Sequence, residues 1–266
     1  MKLTNDNLKE LSLKLNNWIK EKMIEIGGKK AVIGVSGGKD SSVTAALCVD
    51  ALGPENVIGI LMPDGVQNDI QDAIDLCNIL GISYIEANIS TITSAFLDLI
   101  SNIQKDQIKN ITNQTKYNLP PRVRMTLLYA ISQSIDDARV INTSNLSEDW
   151  IGYATVYGDT AGAFSPLGML TSDEVIQIGK YLGLPERFVI KNPSDGLTGR
   201  TDEDVFGFSY AVLNRYIREG ICEDKAIKAK IDNMHKFSRH KFLPIKMFNP
   251  ILPIAAEDIE EIYKGV

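Results

Sequence analysis

Leu8, Leu11, Leu15, Trp18, Ile19, Met23 and Ile26 recur at helical spacing near the start of the chain. They predict an amphipathic helix, stopped by Gly27-Gly28, that covers an apolar surface of this chain or of a partner. Ala31-Val32-Ile33-Gly34-Val35 is short, continuously apolar and glycine-bounded, as a buried strand is. Further strands are predicted at 57–62 (VIGILM) and 83–87 (SYIEA), separated by helical stretches of about 12–14 residues; this βαβ alternation implies a parallel sheet. An apolar-periodic helix is expected over 92–110. Asn118-Leu119-Pro120-Pro121 then marks the N-terminus of a second helix, Arg122 to Ala138, before a strand at 139–143. These two helices suit either a dimer interface or a cover for one face of the sheet.

Thr171-Ser172-Asp173-Glu174 and Thr201-Asp202-Glu203-Asp204 read as capping boxes that open helices over 173–182 and 202–218. Between them, KNPSDGLTGR (191–200) is a Gly/Pro/Ser-rich loop, open to reading as a plain connection or as a lid. The stretch 240–254 is irregular and proline-punctuated, with a short helix after it, and no internal repeat is present.

Length and composition fit a single α/β domain over 1–266, a doubly wound parallel sheet flanked by helices, because 266 residues at 44% hydrophobic content contain no linker. A net charge of −6 argues against nucleic acid and anionic membrane as partners. The N-terminus lacks the apolar core of a signal peptide and no membrane-length apolar run exists, so a cytoplasmic location is expected. Cys48, Cys77 and Cys222 show no C-x-x-C spacing and fall in helical patterns, as reduced and mostly buried thiols do; His235 and His240 match no common zinc spacing.

The candidate chemistry begins at Ser36-Gly37-Gly38-Lys39-Asp40-Ser41-Ser42, between the first strand and a helix beginning at Ser41. Backbone N–H groups and a helix dipole point outward there, a setting for anions. Neither the P-loop spacing nor G-x-G-x-x-G is present. Asp40 would repel a triphosphate unless a cation intervened. If strands 57–62 and 83–87 lie on one side of the first strand and 139–143 on the other, the crevice at the switch point is lined by SGGKDSS and TSNLSEDW (143–150). Asp40 and Glu148 then meet as candidate Mg²⁺ ligands, with Lys39 offsetting the remaining negative charge. At about 6% per fixed residue, S-G-G-x-D-S arises by chance in roughly one such chain in several thousand.

SGGKDSS resembles the signature of the ATP pyrophosphatases, whose fold is adenine nucleotide alpha hydrolase-like. Residues 59–67 (GILMPDGVQ), 120–129 (PPRVRMTLLY), 142–148 (NTSNLSE), 157–159 (YGD), 191–207 and 240–244 (HKFLP) are similar, in order and spacing, to the ammonia-dependent NAD synthetases. The resemblance implies ATP-dependent amidation of deamido-NAD with ammonia through an acyl adenylate, yielding NAD, AMP and pyrophosphate, with Mg²⁺ as cofactor and helical elements that form a homodimer. It implies that Ser36, Gly37, Gly38, Lys39, Asp40, Ser41, Ser42 and Val43 cradle ATP, that Asp40 and Glu148 ligate Mg²⁺, and that Met62 and Gln67 lie near the adenosine. Thr143, Ser172 and Ser194 would touch ATP. Arg122, Val156, Ala163, His240 and Lys241 occupy deamido-NAD positions, and Asp159 would lie near the nicotinate or ammonia; Lys39, Asp40 and Asp159 are the catalytic candidates.

The chain departs from the family pattern at four of these positions. Val156 stands where a lysine or arginine is usual, Ala163 where an aspartate is, Ser172 where many relatives have lysine, and Ser194 where many have threonine. ATP handling is thus expected to persist and dinucleotide contacts to be altered. A glutamine-using version needs an amidohydrolase domain for which 266 residues leave no room, so free ammonia, or ammonia passed from another chain, is the expected nitrogen donor. The alternatives are an ATP-pyrophosphatase-type amidase or adenylating enzyme of the same fold acting on another carboxylate, a tRNA-modifying enzyme, disfavoured by the acidic chain and the lack of paired catalytic cysteines, and a nucleotide-binding module without turnover.

Overall fold

Ala31, Val32 and Ile33 are fully buried because the strand they form is covered on both faces. A computed structural model of the chain describes residues 2–103, 108, 110–190, 201–250 and 252–255. In chain order its main elements are α1 (Asn5–Glu25), β1 (Lys30–Gly34), α2 (Lys39–Leu52), β2 (Val57–Leu61), α3 (Ile70–Leu80), β3 (Ser83–Glu86), α4 (Ser90–Asn102), α5 (Asn113–Gln133), β4 (Ala138–Val140), α6 (Leu146–Ile151), α7 (Ser172–Tyr181), α8 (Glu186–Val189), α9 (Asp202–Phe206), α10 (Tyr210–Glu219) and α11 (Lys225–Ser238). The sheet is parallel in the order β3-β2-β1-β4, with Ala31 opposite Val57 and Lys30 opposite Ala138. Its winding therefore reverses between β1 and β4, as expected.

Alternation along the strands sorts side chains into two layers. Ala31, Ile33, Val57 and Leu61 join α1, α2, α3 and α7 in one core, so α1 covers its own chain through Ile19 and Met23. Val32 and Ile60 point the other way, onto Val123 and the Leu127-Leu128 stretch of α5. A third cluster, built on Ile151, Phe206, Tyr210, Leu213 and Ile231, unites α6, α9, α10 and α11 beside the sheet.

Three expected boundaries differ. Helix α5 begins at Asn113, so Pro120 and Pro121 lie inside it rather than before it. Thr112 supplies the N-cap, accepting from Thr115 N–H at 3.2 Å. An interior proline ordinarily costs about 3 kcal/mol. Here Pro120 is buried and Pro121 lies against Gly158, where an added Cβ would come within 2.9 Å of it, so packing offsets the missing N–H groups. The same helix stops at Gln133, short of Ala138, because the chain turns through Asp137 at φ 57° before entering β4, which itself ends at Val140.

The single helix expected over 202–218 is two. Phe206, Phe208 and Tyr210 are all buried, a spacing of two that one helix cannot present to one cluster, and the break falls at Gly207, whose φ of 74° is left-handed. Its expected capping box is present at Thr201 and Asp204, and Ser209 caps the second helix. The helix expected over 92–110 starts earlier, at Ser90, and ends at Asn102, where Ile103 leaves helical geometry at ψ 68°. Cys48 and Cys77 are buried helical thiols, whereas Cys222 lies in the turn between α10 and α11, outside any helix. The 191–200 loop and the helix expected after 254 lie outside the described residues. No helix among the described residues is long and apolar enough to cross a membrane.

Candidate active site

The loop after β1 is shaped from within by its own hydroxyls. Ser36 N–H donates to Ser41 Oγ at 3.2 Å, Gly38 N–H to Ser36 Oγ at 3.2 Å, and the Ser42 hydroxyl to the Gly38 carbonyl at 2.7 Å. Gly37 is left-handed at φ 77°, and a Cβ there would stand 3.0 Å from both Ala73 N and Asp72 Cβ of α3. Gly38 is the N-cap of α2 and brings no side-chain cap, which leaves the positive end of that helix for an anion.

Lys39 opens α2 at 5% exposure, its Nζ 2.8 Å from Asp40 Oδ2 and 3.7 Å from Glu148 Oε1. Burial works against the ammonium, yet Asp40, Glu148 and Asp202 together hold its pKa above the ordinary lysine value. The opposite strain falls on Glu148. Burial raises its pKa, Asp40 and Asp202 add repulsion, and Lys39 and Asn145 only partly oppose them. Two carboxylates converging on one buried ammonium form a hard-oxygen donor set suited to Mg²⁺.

Asn145 was not singled out by sequence, yet it joins the two expected loops. Its Oδ1 accepts from the N–H groups of Ser147 and Glu148 as the N-cap of α6, and its Nδ2 donates to Asp40 Oδ1 at 2.9 Å. The signal that marks it is the preference of asparagine for the N-cap position, here of a short helix that no apolar periodicity announces. Asp202 and Tyr210 were also missed. The Tyr210 hydroxyl donates to Asp202 Oδ2 at 3.1 Å and its ring lies 5.6 Å from Lys39 Nζ. In sequence Asp202 is part of a capping box, whose geometry says nothing of where its carboxylate reaches.

The other expected residues separate into groups. Thr143 lies beyond β4 beside Asn142, whose Nδ2 donates to the Asp159 carbonyl at 2.7 Å, bringing the YGD turn to this strand end. Asp159 is exposed, its Oδ2 accepting from Thr155 N–H at 3.1 Å. Tyr157, 60% exposed, holds φ 57°, a conformation unfavourable for a bulky side chain. Arg122 is exposed and its Nε donates to the Val156 carbonyl at 3.2 Å. Ala163 is exposed, its N–H donating to the Val140 carbonyl. Lys241 donates to the carbonyls of Gly152 and Ala154 at 2.7 and 2.8 Å, anchoring the turn after α6, while exposed His240, in the turn that follows α11, meets the Phe237 carbonyl of that helix.

Met62, expected to end the second strand, lies just beyond β2, its carbonyl accepting from Arg124 Nε, and Gln67 lies in the turn before α3. Val43 is fully buried against α7, where a Cβ on Gly179 would meet it, so its side chain belongs to the core. Ser172 is likewise set inside, at 2% exposure: its Oγ accepts from Asn214 Nδ2 at 3.0 Å and its N–H donates to Ser147 Oγ at 3.0 Å. Ser194 lies outside the described residues.

Behind Glu148, Asp149 is a further acid that sequence reading passed over. Burial pushes it up to about 7 against the pull of Arg239, with Asp159 and Asp40 adding repulsion. Its buried Oδ1 has no hydrogen-bond partner among the described residues.

Residues 11–249 match the model of the NAD synthase family. The chain is 38% identical over 214 residues to an NH(3)-dependent NAD(+) synthetase of Methanococcus aeolicus, covering 79% of this chain and 82% of that one. Among solved structures it is similar to NMN synthetase from Francisella tularensis, at a TM-score of 0.82 and 32% identity over 93% of this chain and all of that one. It is also similar to the NH3-dependent NAD synthetase of Campylobacter jejuni, at a TM-score of 0.73 and 32% identity over 91% of this chain and 99% of that one. With nearly the whole sequence matched and the parallel sheet in common, the chain belongs to the NAD synthase family.

Proposed function

We propose that the chain joins ammonia to the nicotinate carboxylate of deamido-NAD at the expense of ATP, giving NAD, AMP and pyrophosphate. The observation that carries this reading is the convergence of Asp40 and Glu148 on Lys39 at the sheet's switch point, beside the uncapped start of α2. A carboxylate is a poor acceptor for an amine. Its oxygen attacks the α-phosphorus of ATP, pyrophosphate leaves, and the resulting acyl adenylate carries AMP as leaving group. Ammonia nitrogen then bonds to the acyl carbon as the C–O bond to AMP breaks, and the nitrogen gives up its proton.

In this scheme the Gly37-Gly38 backbone and the first turn of α2 receive the departing pyrophosphate, Lys39 neutralises negative charge, and Asn145 fixes Asp40 relative to α6. Mg²⁺, held by Asp40 and Glu148, would supply charge neutralisation for the phosphates. In this reading Asp159, whose carbonyl is held at the strand end by Asn142, accepts the proton released by ammonia. One domain over 1–266 contributes all of these groups.

A second reading has a specific observation behind it: the same amidation directed at nicotinate mononucleotide. The neighbour with TM-score 0.82 is described as an NMN synthetase, and Val156 and Ala163 lack the charges that relatives usually place toward the larger ligand.

Assembly as a homodimer is supported by the apolar stripe of α4. Ile92, Phe96 and Leu99 are 45–58% exposed at helical spacing, near the end of a sheet whose edge strand β3 exposes Tyr84 and Ile85.

The test is a single assay with Mg²⁺-ATP and ammonium, supplied with deamido-NAD or nicotinate mononucleotide, reading AMP, ADP and amidated product. AMP formed with deamido-NAD supports the first reading. A preference of about ten-fold or more in kcat/KM for the mononucleotide moves the assignment to the second. ADP as the nucleotide product overturns both.

A further inference from the structure

Helix α5 carries two arginines two positions apart, and each commits its Nε to a main-chain carbonyl in a different loop. Arg122 donates to Val156, beyond β4, and Arg124 donates to Met62, just beyond β2, at 3.0 Å. Strand β1 runs between those two strands, so the arginines tie α5 to both sides of the crevice that opens at the SGGKDSS loop. Their settings differ. Arg122 is exposed, whereas Arg124 is partly buried, and burial lowers its pKa while Asp64 and Asp159 sustain its charge.

Neither acid pairs with Arg124: among the described residues no carboxylate comes within 4.0 Å of it, and its terminal Nη groups have no acceptor. A guanidinium stays protonated under such desolvation, and the Nη donors are not among the buried groups left without a partner, so they are open to solvent and to a ligand. Anchoring by Nε fixes the plane of the group and leaves the fork of Nη donors, whose geometry matches two phosphate oxygens.

We propose that Arg124 binds a phosphoryl group of a bound nucleotide through its Nη donors. The proposal rests on the functional reading above, which brings two phosphate-bearing molecules to this crevice: ATP, and the nicotinate-bearing nucleotide. Either can supply the phosphoryl group. The bond to Met62 keeps the guanidinium oriented before the ligand arrives.

Binding by titration calorimetry tests this without turnover, and wild-type affinities come first, so failure of the functional reading is seen separately. Arg124→Lys, which keeps a charge and a donor for Met62, and Arg124→Gln are compared with wild type against α,β-methylene-ATP with Mg²⁺, adenosine and deamido-NAD; melting curves establish that both fold. The expected result is a loss of about ten-fold or more for one phosphate-bearing ligand, with adenosine within about two-fold. Loss confined to the ATP analogue names ATP as the source, and loss confined to deamido-NAD names the other nucleotide. Equal weakening of adenosine and the ATP analogue, or no weakening of either nucleotide, overturns the proposal and reduces Arg124 to a brace for Met62.

Discussion

Asn145 Nδ2 lies 2.9 Å from Asp40 Oδ1, joining loops 105 positions apart in sequence. The same side chain caps α6, so one amide sets both the carboxylate of the first loop and the helix that carries Glu148. Asn145→Ala removes the cap and the Asp40 bond together, with an expected loss of about 2–3 kcal/mol in urea unfolding. Asn145→Asp retains a capping oxygen but sets a carboxylate beside Asp40. Most of the stability should return, while the Mg²⁺ concentration needed for half-maximal activity rises.

The Glu148 carboxyl is raised to about 8 from 4.5 by burial and by the Asp40 charge. The folded protein then binds more protons than the unfolded chain between these values, so this group lowers stability as pH climbs from about 4.5 to about 8, by up to about 1.4 kcal/mol per unit. Melting temperature against pH in the absence of metal should fall less steeply for Glu148→Gln than for wild type. Equal slopes would remove Glu148 as the source.

Arg218 grips Glu174 with Nε on Oε1 at 2.8 Å and Nη2 on Oε2 at 2.6 Å, and donates as well to the Met169 carbonyl. Glu174 is 3% exposed, and despite burial these bonds hold its pKa below the usual glutamate value. The contribution is present above the unfolded glutamate pKa and is lost as pH falls through the lowered folded value. Arg218→Met leaves a buried carboxylate uncompensated and should cost about 3 kcal/mol at pH 7, with a smaller difference in strong acid. Chemical unfolding at the two pH values measures it.

Restoring the usual charges with Val156→Lys and Ala163→Asp should lower KM for deamido-NAD by about ten-fold and leave KM for ATP within about two-fold. Steady-state kinetics with each substrate varied checks this. An unchanged deamido-NAD KM would mean that neither position meets that ligand.

Phe96 and Leu99 are 47% and 58% exposed on α4. Phe96→Asp combined with Leu99→Asp should convert a dimer to a monomer in light scattering with little change in far-UV circular dichroism, because the stripe is not part of the protein's own core. A monomeric wild type would dispose of the interface.

The sequence by itself determined the sheet and the two carboxylates. Short, glycine-bounded apolar runs at 31–35 and 57–62 read as strands covered on both faces, and parallel winding sends the loops after β1 and β4 to one end of the sheet, which is why Asp40 and Glu148 were foreseeable as a pair. It also identified α1, α7 and both capping boxes, since these are local signals. Tertiary structure decided what depended on distant packing: Pro120-Pro121 inside α5, held by the fit of Pro121 to Gly158, and the break at Gly207, imposed by a shared cluster of aromatic residues. It also decided which polar residues surround the ammonium. Tyr210 and Asn145 reach Lys39 and Asp40 from elements far along the chain, Asp202 holds the Tyr210 hydroxyl and adds its charge, and Ser172 turns inward to Asn214. A capping pattern specifies one bond near its own backbone; where the rest of the side chain reaches is fixed only once helices from distant parts of the sequence are packed together.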